Sequence, residues 1–121
     1  MGYRSEVCLC LNRKGNVMLA EKLQEADPET KKLVEELLSN ADKHVTSTNY
    51  NIWYWPCIKW YEDDIDVAFI ERLLQEIPEN AFRFLRIGDD LDDNEERGAF
   101  WDYPCDICIT RSINFNTPME N

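Results

Sequence analysis

The sequence predicts an α+β fold: a single domain with a four-stranded, largely antiparallel sheet and helices packed on one face, in the order β-α-α-β-α-β-β. Three observations carry this expectation. Short segments alternate apolar and polar residues. Longer segments repeat apolar residues at helical spacing. Proline, glycine and polar clusters separate the two kinds. A chain of 121 residues is the length of one domain. Residues 1–115 are assigned to it, and residues 116–121 read as a flexible tail.

Each element has a local reason. Glu6 to Leu11 alternates, with Val7, Leu9 and Leu11 on one face and Glu6, Cys8 and Cys10 on the other, and is the first strand. Asn12-Arg13-Lys14-Gly15-Asn16 reads as a turn. Val17, Ala20 and Leu23 then follow helical spacing. Asp27-Pro28-Glu29 is a helix start: an N-cap, a proline at the first helical position and an acid in the first turn. Leu33, Val34, Leu37 and Leu38 form that helix's apolar stripe, and the polar stretch from Asp42 to Asn49 ends it.

Tyr50 to Tyr61 is the most aromatic window and reads as a strand. Pro56 within it suits an edge or a bulge, because proline has no N–H for a central ladder. Glu62-Asp63-Asp64 supplies a cap and early acids for a third helix. Val67, Ile70, Leu73, Leu74 and Ile77 are its inward face, and Pro78 is its stop. Ala81 to Ile87 is the third strand. Gly88 to Gly98 is an acidic loop. Ile107 to Phe115 is the fourth strand.

The charge is unevenly placed. Residues 1–60 carry eight acids and eight bases, whereas residues 61–121 carry sixteen acids and five bases. The whole net charge of −11 therefore lies in the second half. Its densest run is Asp89-Asp90-Leu91-Asp92-Asp93-Asn94-Glu95-Glu96. Like charges so close work against the compact state, and a basic partner relieves them. The same balance argues against direct binding of nucleic acid, which needs Lys and Arg against phosphate.

Catalytic and metal signatures are weak. Cys8-x-Cys10 and Cys105-x-x-Cys108 offer four thiols for a tetrahedral zinc if the first and last strands adjoin. C-x-x-C at the start of a strand lacks the knuckle turn that such sites favour, so free core thiols are the expectation. An EF-hand register from Asp90 fits at Asp92 and Asn94. It fails at Glu95, where glycine is required, and at Trp101, where glutamate is required. His44, the one histidine, reads as a surface residue near a helix end. No glycine-rich phosphate loop is present. The expectation is therefore no cofactor and no enzyme. The opening residues lack the apolar run of a secretory signal, and no segment has the length of a membrane span. A cytoplasmic location is expected.

The segments Met1-Gly2-Tyr3-Arg4-Ser5-Glu6-Val7, Ile58-Lys59-Trp60-Tyr61, Arg86-Ile87-Gly88-Asp89-Asp90 and Arg111-Ser112-Ile113 together resemble a group of small acidic proteins encoded by bacteriophages, prophages and other mobile elements. The resemblance implies a setting, the infected bacterial cytosol, rather than a mechanism. With the charge asymmetry, it gives the leading expectation of a phage-type inhibitor or adaptor. Such a protein binds a host nucleic-acid-binding or defence complex through that complex's basic surface, as an anti-CRISPR or other anti-defence protein does. Asp89, Asp90, Asp92, Asp93, Glu95 and Glu96 are the expected charged contacts, and Trp53, Trp55 and Trp60 the expected anchors. The alternatives are a zinc- or nucleotide-handling domain and, behind it, a metal-dependent hydrolase. A nucleotide site needs Arg83, Arg86, Arg97 and Arg111 to converge.

Overall fold

In a computed structural model, which describes residues 3–90, 92–102 and 105–109, the two faces of the first strand meet different surroundings. Strand β1 (Ser5–Asn12) buries Val7, Leu9 and Leu11 completely on one side, as its alternation requires. On the other side Cys10 is also fully buried. β1 is thus covered on both faces, which the alternation alone does not indicate.

The elements follow as α1 (Arg13–Glu25), α2 (Pro28–Ser39), β2 (Lys43–Thr46), β3 (Tyr50–Ile58), α3 (Ile65–Glu76), a short 3₁₀ turn (Glu79–Ala81), β4 (Phe82–Gly88) and β5 (Asn94–Arg97). The α+β class holds, with an antiparallel sheet and three helices. The described sheet has five strands, not four, in the order β2-β3-β1-β4-β5. Every neighbouring pair is antiparallel. β3 and β4 flank β1, run parallel to each other and are joined through α3, which is a split βαβ arrangement.

The helix starts follow capping chemistry. Asn12 does not open a turn. Its side chain accepts the Gly15 N–H at 2.9 Å, and α1 begins at Arg13. Gly15 faces the 3₁₀ turn so closely that a Cβ there would lie 2.7 Å from the Ala81 carbonyl oxygen. This contact sets the phase of α1. Gly15, Leu19 and Leu23, spaced by four, point inward, while Val17 is 52% exposed and Ala20 faces solvent. α2 starts as its sequence requires, with Asp27 capping Thr30 and Pro28 leading the helix. Val34 and Leu37 of α2, and Val67, Ile70, Leu73 and Leu74 of α3, pack on the same sheet face as Leu19. Ile77 caps α3 before Pro78.

Two strands replace expected loops. The polar stretch after α2 contains β2, which pairs with β3 from Lys43↔Tyr54 to Thr46↔Asn51. All four of its residues are exposed, so no apolar alternation marks it. The acidic loop after β4 contains β5, whose residues lie opposite Phe84 to Ile87. Here the pairing is electrostatic: Arg86 faces Glu95 directly across the ladder. Pro56 occupies a bulge. The β1–β3 register slips between Val7↔Trp55 and Ser5↔Ile58, and β2 has ended at Tyr54. No ladder bond is asked of the proline.

The expected strand from Ile107 to Phe115 is only partly within the described residues. Ile107 to Ile109 are not in a strand, and the remainder, with the tail 116–121, lies outside them. The described piece covers the second sheet face. Cys8, Tyr54 and Leu85 share a cavity of about 370 Å³ with Ile107, Cys108 and Ile109. Among the described residues no helix is long and apolar enough to cross a membrane.

Gly98 turns the chain from β5 onto that second face at a φ of +87°, and a Cβ would meet the Phe82 carbonyl oxygen at 2.2 Å. Gly98→Ala is therefore expected to cost about 1–3 kcal/mol. Urea denaturation followed by tryptophan fluorescence measures this, and an unchanged midpoint contradicts the close contact.

Candidate functional site

Sheet register brings two acidic segments to one place. Ser5 pairs with Ile58 on one side and with Gly88 on the other. The loops that leave β3 and β4 therefore emerge at the same end of the sheet. The first carries Glu62, Asp63 and Asp64, and the second carries Asp89, Asp90 and Asp92, all six exposed. Arg4 and Lys59 are the exposed bases beside them. Between the loops lies a polar cleft of about 400 Å³, lined in part by Tyr61, Glu62, Glu71, Asp93 and Glu95. Glu62 to Asp64 read in the sequence only as a helix start. Yet Asp64, the N-cap of α3, makes no side-chain capping bond. The usable signal was their position after a strand that pairs with β1.

Behind the exposed acids, the remaining carboxylates are consumed internally. Arg86, largely buried, donates through Nη2 to Asp93 Oδ1 at 2.5 Å and through Nε to Glu95 Oε1 at 2.8 Å. Its Nη1 also reaches Asp93 Oδ2 and Ser5 Oγ, each at 3.2 Å. The Tyr3 hydroxyl donates to Asp93 Oδ2 at 2.6 Å and accepts the Asp90 N–H at 3.0 Å. Asp89 Oδ2 accepts the Arg4 N–H at 3.1 Å. The hydrogen bond from Arg86, then that from Tyr3, holds the Asp93 carboxyl below its usual range, and Asp93 in turn pushes the Tyr3 phenol up. Arg97 donates to Glu71 Oε1 at 2.6 Å, and Trp60 Nε1 donates to Glu71 Oε2 at 2.9 Å.

The six expected contact acids therefore divide. Asp89, Asp90 and Asp92 are exposed and, among the described residues, in no ion pair, with Asp89 also accepting the Arg4 N–H. Asp93 and Glu95 are tied to Arg86, and Glu96 is tied to Arg83 at 3.1 Å. The expected tryptophan anchors are overturned: Trp53, Trp55 and Trp60 are only 5%, 3% and 7% exposed. Trp53 and Trp55, two apart on β3, both point under the helices, and Trp55 Nε1 donates to the Leu37 carbonyl at 3.1 Å. Trp60 folds back onto Trp55 and Phe84, with ring centroids 5.7 and 5.8 Å apart. These rings belong to the core.

The thiols do not close into the four-cysteine set. All five cysteines are free. Cys10 and Cys105 are fully buried, Cys8 is half-buried and Cys108 is exposed. Contact with the Cys8 thiol, and then burial, push the Cys10 thiol up, which opposes the thiolate that zinc requires. Among the described residues no group of three or more His, Cys, Asp or Glu side chains gathers where a metal ion could be held. His44 is not at a helix end. It sits on edge strand β2, stacked on Trp53 at 5.0 Å and 3.0 Å from Asn51 Oδ1.

Nor do Arg83, Arg86 and Arg97 offer free donors for a phosphate pocket. Arg83 spends its donors on the carbonyls of Ile107 and Gly98, at 3.2 Å each, and on Glu96. Its guanidinium also lies 4.0 Å from the Trp101 ring centroid. Arg86 and Arg97 are ion-paired as above, and Arg111 lies outside the described residues. No family model, no curated protein and no solved structure matches the chain.

Replacing Arg86 removes the cation between Asp93 and Glu95 and leaves Asp93 only its Tyr3 bond and Glu95 only the longer Arg97 contact at 3.7 Å. Arg86→Gln is expected to lower stability by about 1–3 kcal/mol. The pH dependence follows from the lowered Asp93 value. The stabilisation from Asp93 is full above the ordinary value of 3.8 and is lost as pH falls through the lower folded value. Denaturant midpoints from pH 6 down to pH 2 should therefore decline less steeply in Asp93→Asn than in the native chain.

Proposed function

We infer that the chain is an acidic interaction protein that binds a basic protein surface through the end of its sheet. The observation that carries this reading is the convergence of Glu62, Asp63 and Asp64 with Asp89, Asp90 and Asp92 on one exposed end. Carboxylates distant in the sequence are brought together there by two loops that leave the same end of the sheet, so their charges add at one place. Clustered charge raises association rates and selects partners of opposite sign. The surface that fits it carries Lys and Arg in an extended array, as nucleic-acid-binding proteins do.

The resemblance to phage- and prophage-encoded acidic proteins supplies the setting. In this reading the protein acts in the bacterial cytosol and occupies the nucleic-acid-binding face of a host or defence complex, an anti-CRISPR effector among them, without turnover. The buried tryptophans have no part in the contact. They hold the platform, and Tyr3 and Tyr61 are the aromatic groups beside the acids. The nucleotide reading through the four arginines loses its support, because Arg83, Arg86 and Arg97 are already satisfied by internal partners.

The test is capture of the tagged chain's partner from a bacterial lysate at low salt, elution by rising salt and identification by mass spectrometry. Neutralising Glu62, Asp63, Asp64, Asp89, Asp90 and Asp92 to Gln or Asn is expected to slow association with the captured partner by about tenfold or more. The fold should stay intact, because these side chains make few internal contacts. Neutralising Asp93, Glu95 and Glu96 should instead lower stability. An affinity indifferent both to salt and to the six replacements contradicts the reading.

A further inference from the structure

The opposite end of the sheet carries a second feature with different chemistry. Where β1 and β3 end their ladder at Asn12↔Tyr50, a cleft of about 830 Å³ opens. This is within the size range of small-molecule sites. Its walls include Tyr50 and Phe100, both half-buried, brought together from distant parts of the chain. Arg13 and Lys14 stand exposed on its rim. Among the described residues neither makes an ion pair, as is also true of Lys31 and Lys32 on α2. Asn49 and Asp102 complete the polar lining. Asn12 is already engaged: it caps Gly15 and donates to the Asn80 carbonyl at 3.0 Å, which fixes the floor.

We propose that this cleft is a binding site for a mononucleotide, a nucleoside carrying one phosphate group. Each part of that ligand has a counterpart. The two cations take the phosphate. The aromatic walls offer π-faces for the base, a sequence-tolerant contact. The Asn49 amide presents both a donor and an acceptor to a base edge. The Asp102 carboxylate is an acceptor for ribose hydroxyls, the role an acid plays in nucleotide-binding folds. A polynucleotide suits the site less well, because two cations neutralise one phosphate while the rest of the strand would cross a molecule of net charge −11. The site is separate from the acidic end, and its fate does not decide the reading given there.

Isothermal titration of the full chain with the four nucleoside 5′-monophosphates tests this. Unphosphorylated adenosine and inorganic phosphate serve as partial ligands. The expected result is saturable one-to-one binding of at least one nucleotide, tighter than either part. Arg13→Gln/Lys14→Gln should weaken it by about tenfold or more. Lys31→Gln/Lys32→Gln, which removes an exposed cation pair on α2, should leave it unchanged. Thermal melts should show all variants folded. The proposal is overturned if no nucleotide saturates at millimolar concentration, or if the rim variant binds like the native chain. It is equally overturned if the α2 variant loses as much as the rim variant.

Discussion

Three side chains meet on the guanidinium of Arg86. It bonds Ser5 at the start of β1, Asp93 in the β4–β5 turn and Glu95 on β5, while Asp93 passes the contact on to Tyr3. Planar forks of this kind hold several carboxylate oxygens in fixed directions, which a lysine cannot do. The consequence reaches beyond one ion pair. A sequence as acidic as residues 88–98 has little reason of its own to form a strand, because adjacent carboxylates repel. Arg86 and Arg83 on β4 supply the reason, and the sheet gains its fifth strand. The same pairing decides which acids remain for solvent.

The charge is therefore sorted in space more strongly than along the chain. One end of the strands carries six exposed carboxylates, none of them in an ion pair among the described residues. The other carries Arg13 and Lys14 beside an aromatic cleft. Between them the helices bury an apolar core on one face, and on the other Arg83 reaches Gly98, Trp101 and Ile107. A molecule built this way presents opposite electrostatic characters at its two ends while its flanks are occupied by packing.

Much of this was legible in the sequence where local chemistry decides the outcome. Asp27-Pro28 starts α2, Pro78 stops α3, and Val67, Ile70, Leu73 and Leu74 face the core because helical spacing leaves no other choice. Sequence reasoning failed where a distant partner decides. β2 is polar and exposed, so only β3 beside it makes it a strand. β5 needs the arginines of β4. The phase of α1 depends on Gly15 meeting Ala81, a contact that no local pattern in residues 12–25 encodes. The tryptophans were misplaced for a related reason. Aromatic enrichment indicates large burial somewhere, yet an interface and a core use the same residues. Alternation put Trp53 and Trp55 on one face without saying which face meets the helices. For the site, the run Asp89 to Glu96 was visible but not its division into paired and free acids. Glu62 to Asp64 were hidden behind their role at a helix start.

The central place of β1 has a consequence for how the chain acquires its structure. Its two neighbours, β3 and β4, are both far along the sequence, so the middle of the sheet is assembled from contacts of long sequence separation. The hairpins β2–β3 and β4–β5 are local, but each lies at an edge and has little to pack against until β1 arrives. Closing long loops costs entropy before the buried contacts repay it. Chains with many such contacts fold slowly for their size. During synthesis, β1 emerges well before either partner: its first ladder can form only once β3 has been made, and its second edge stays open until α3 and β4 have followed.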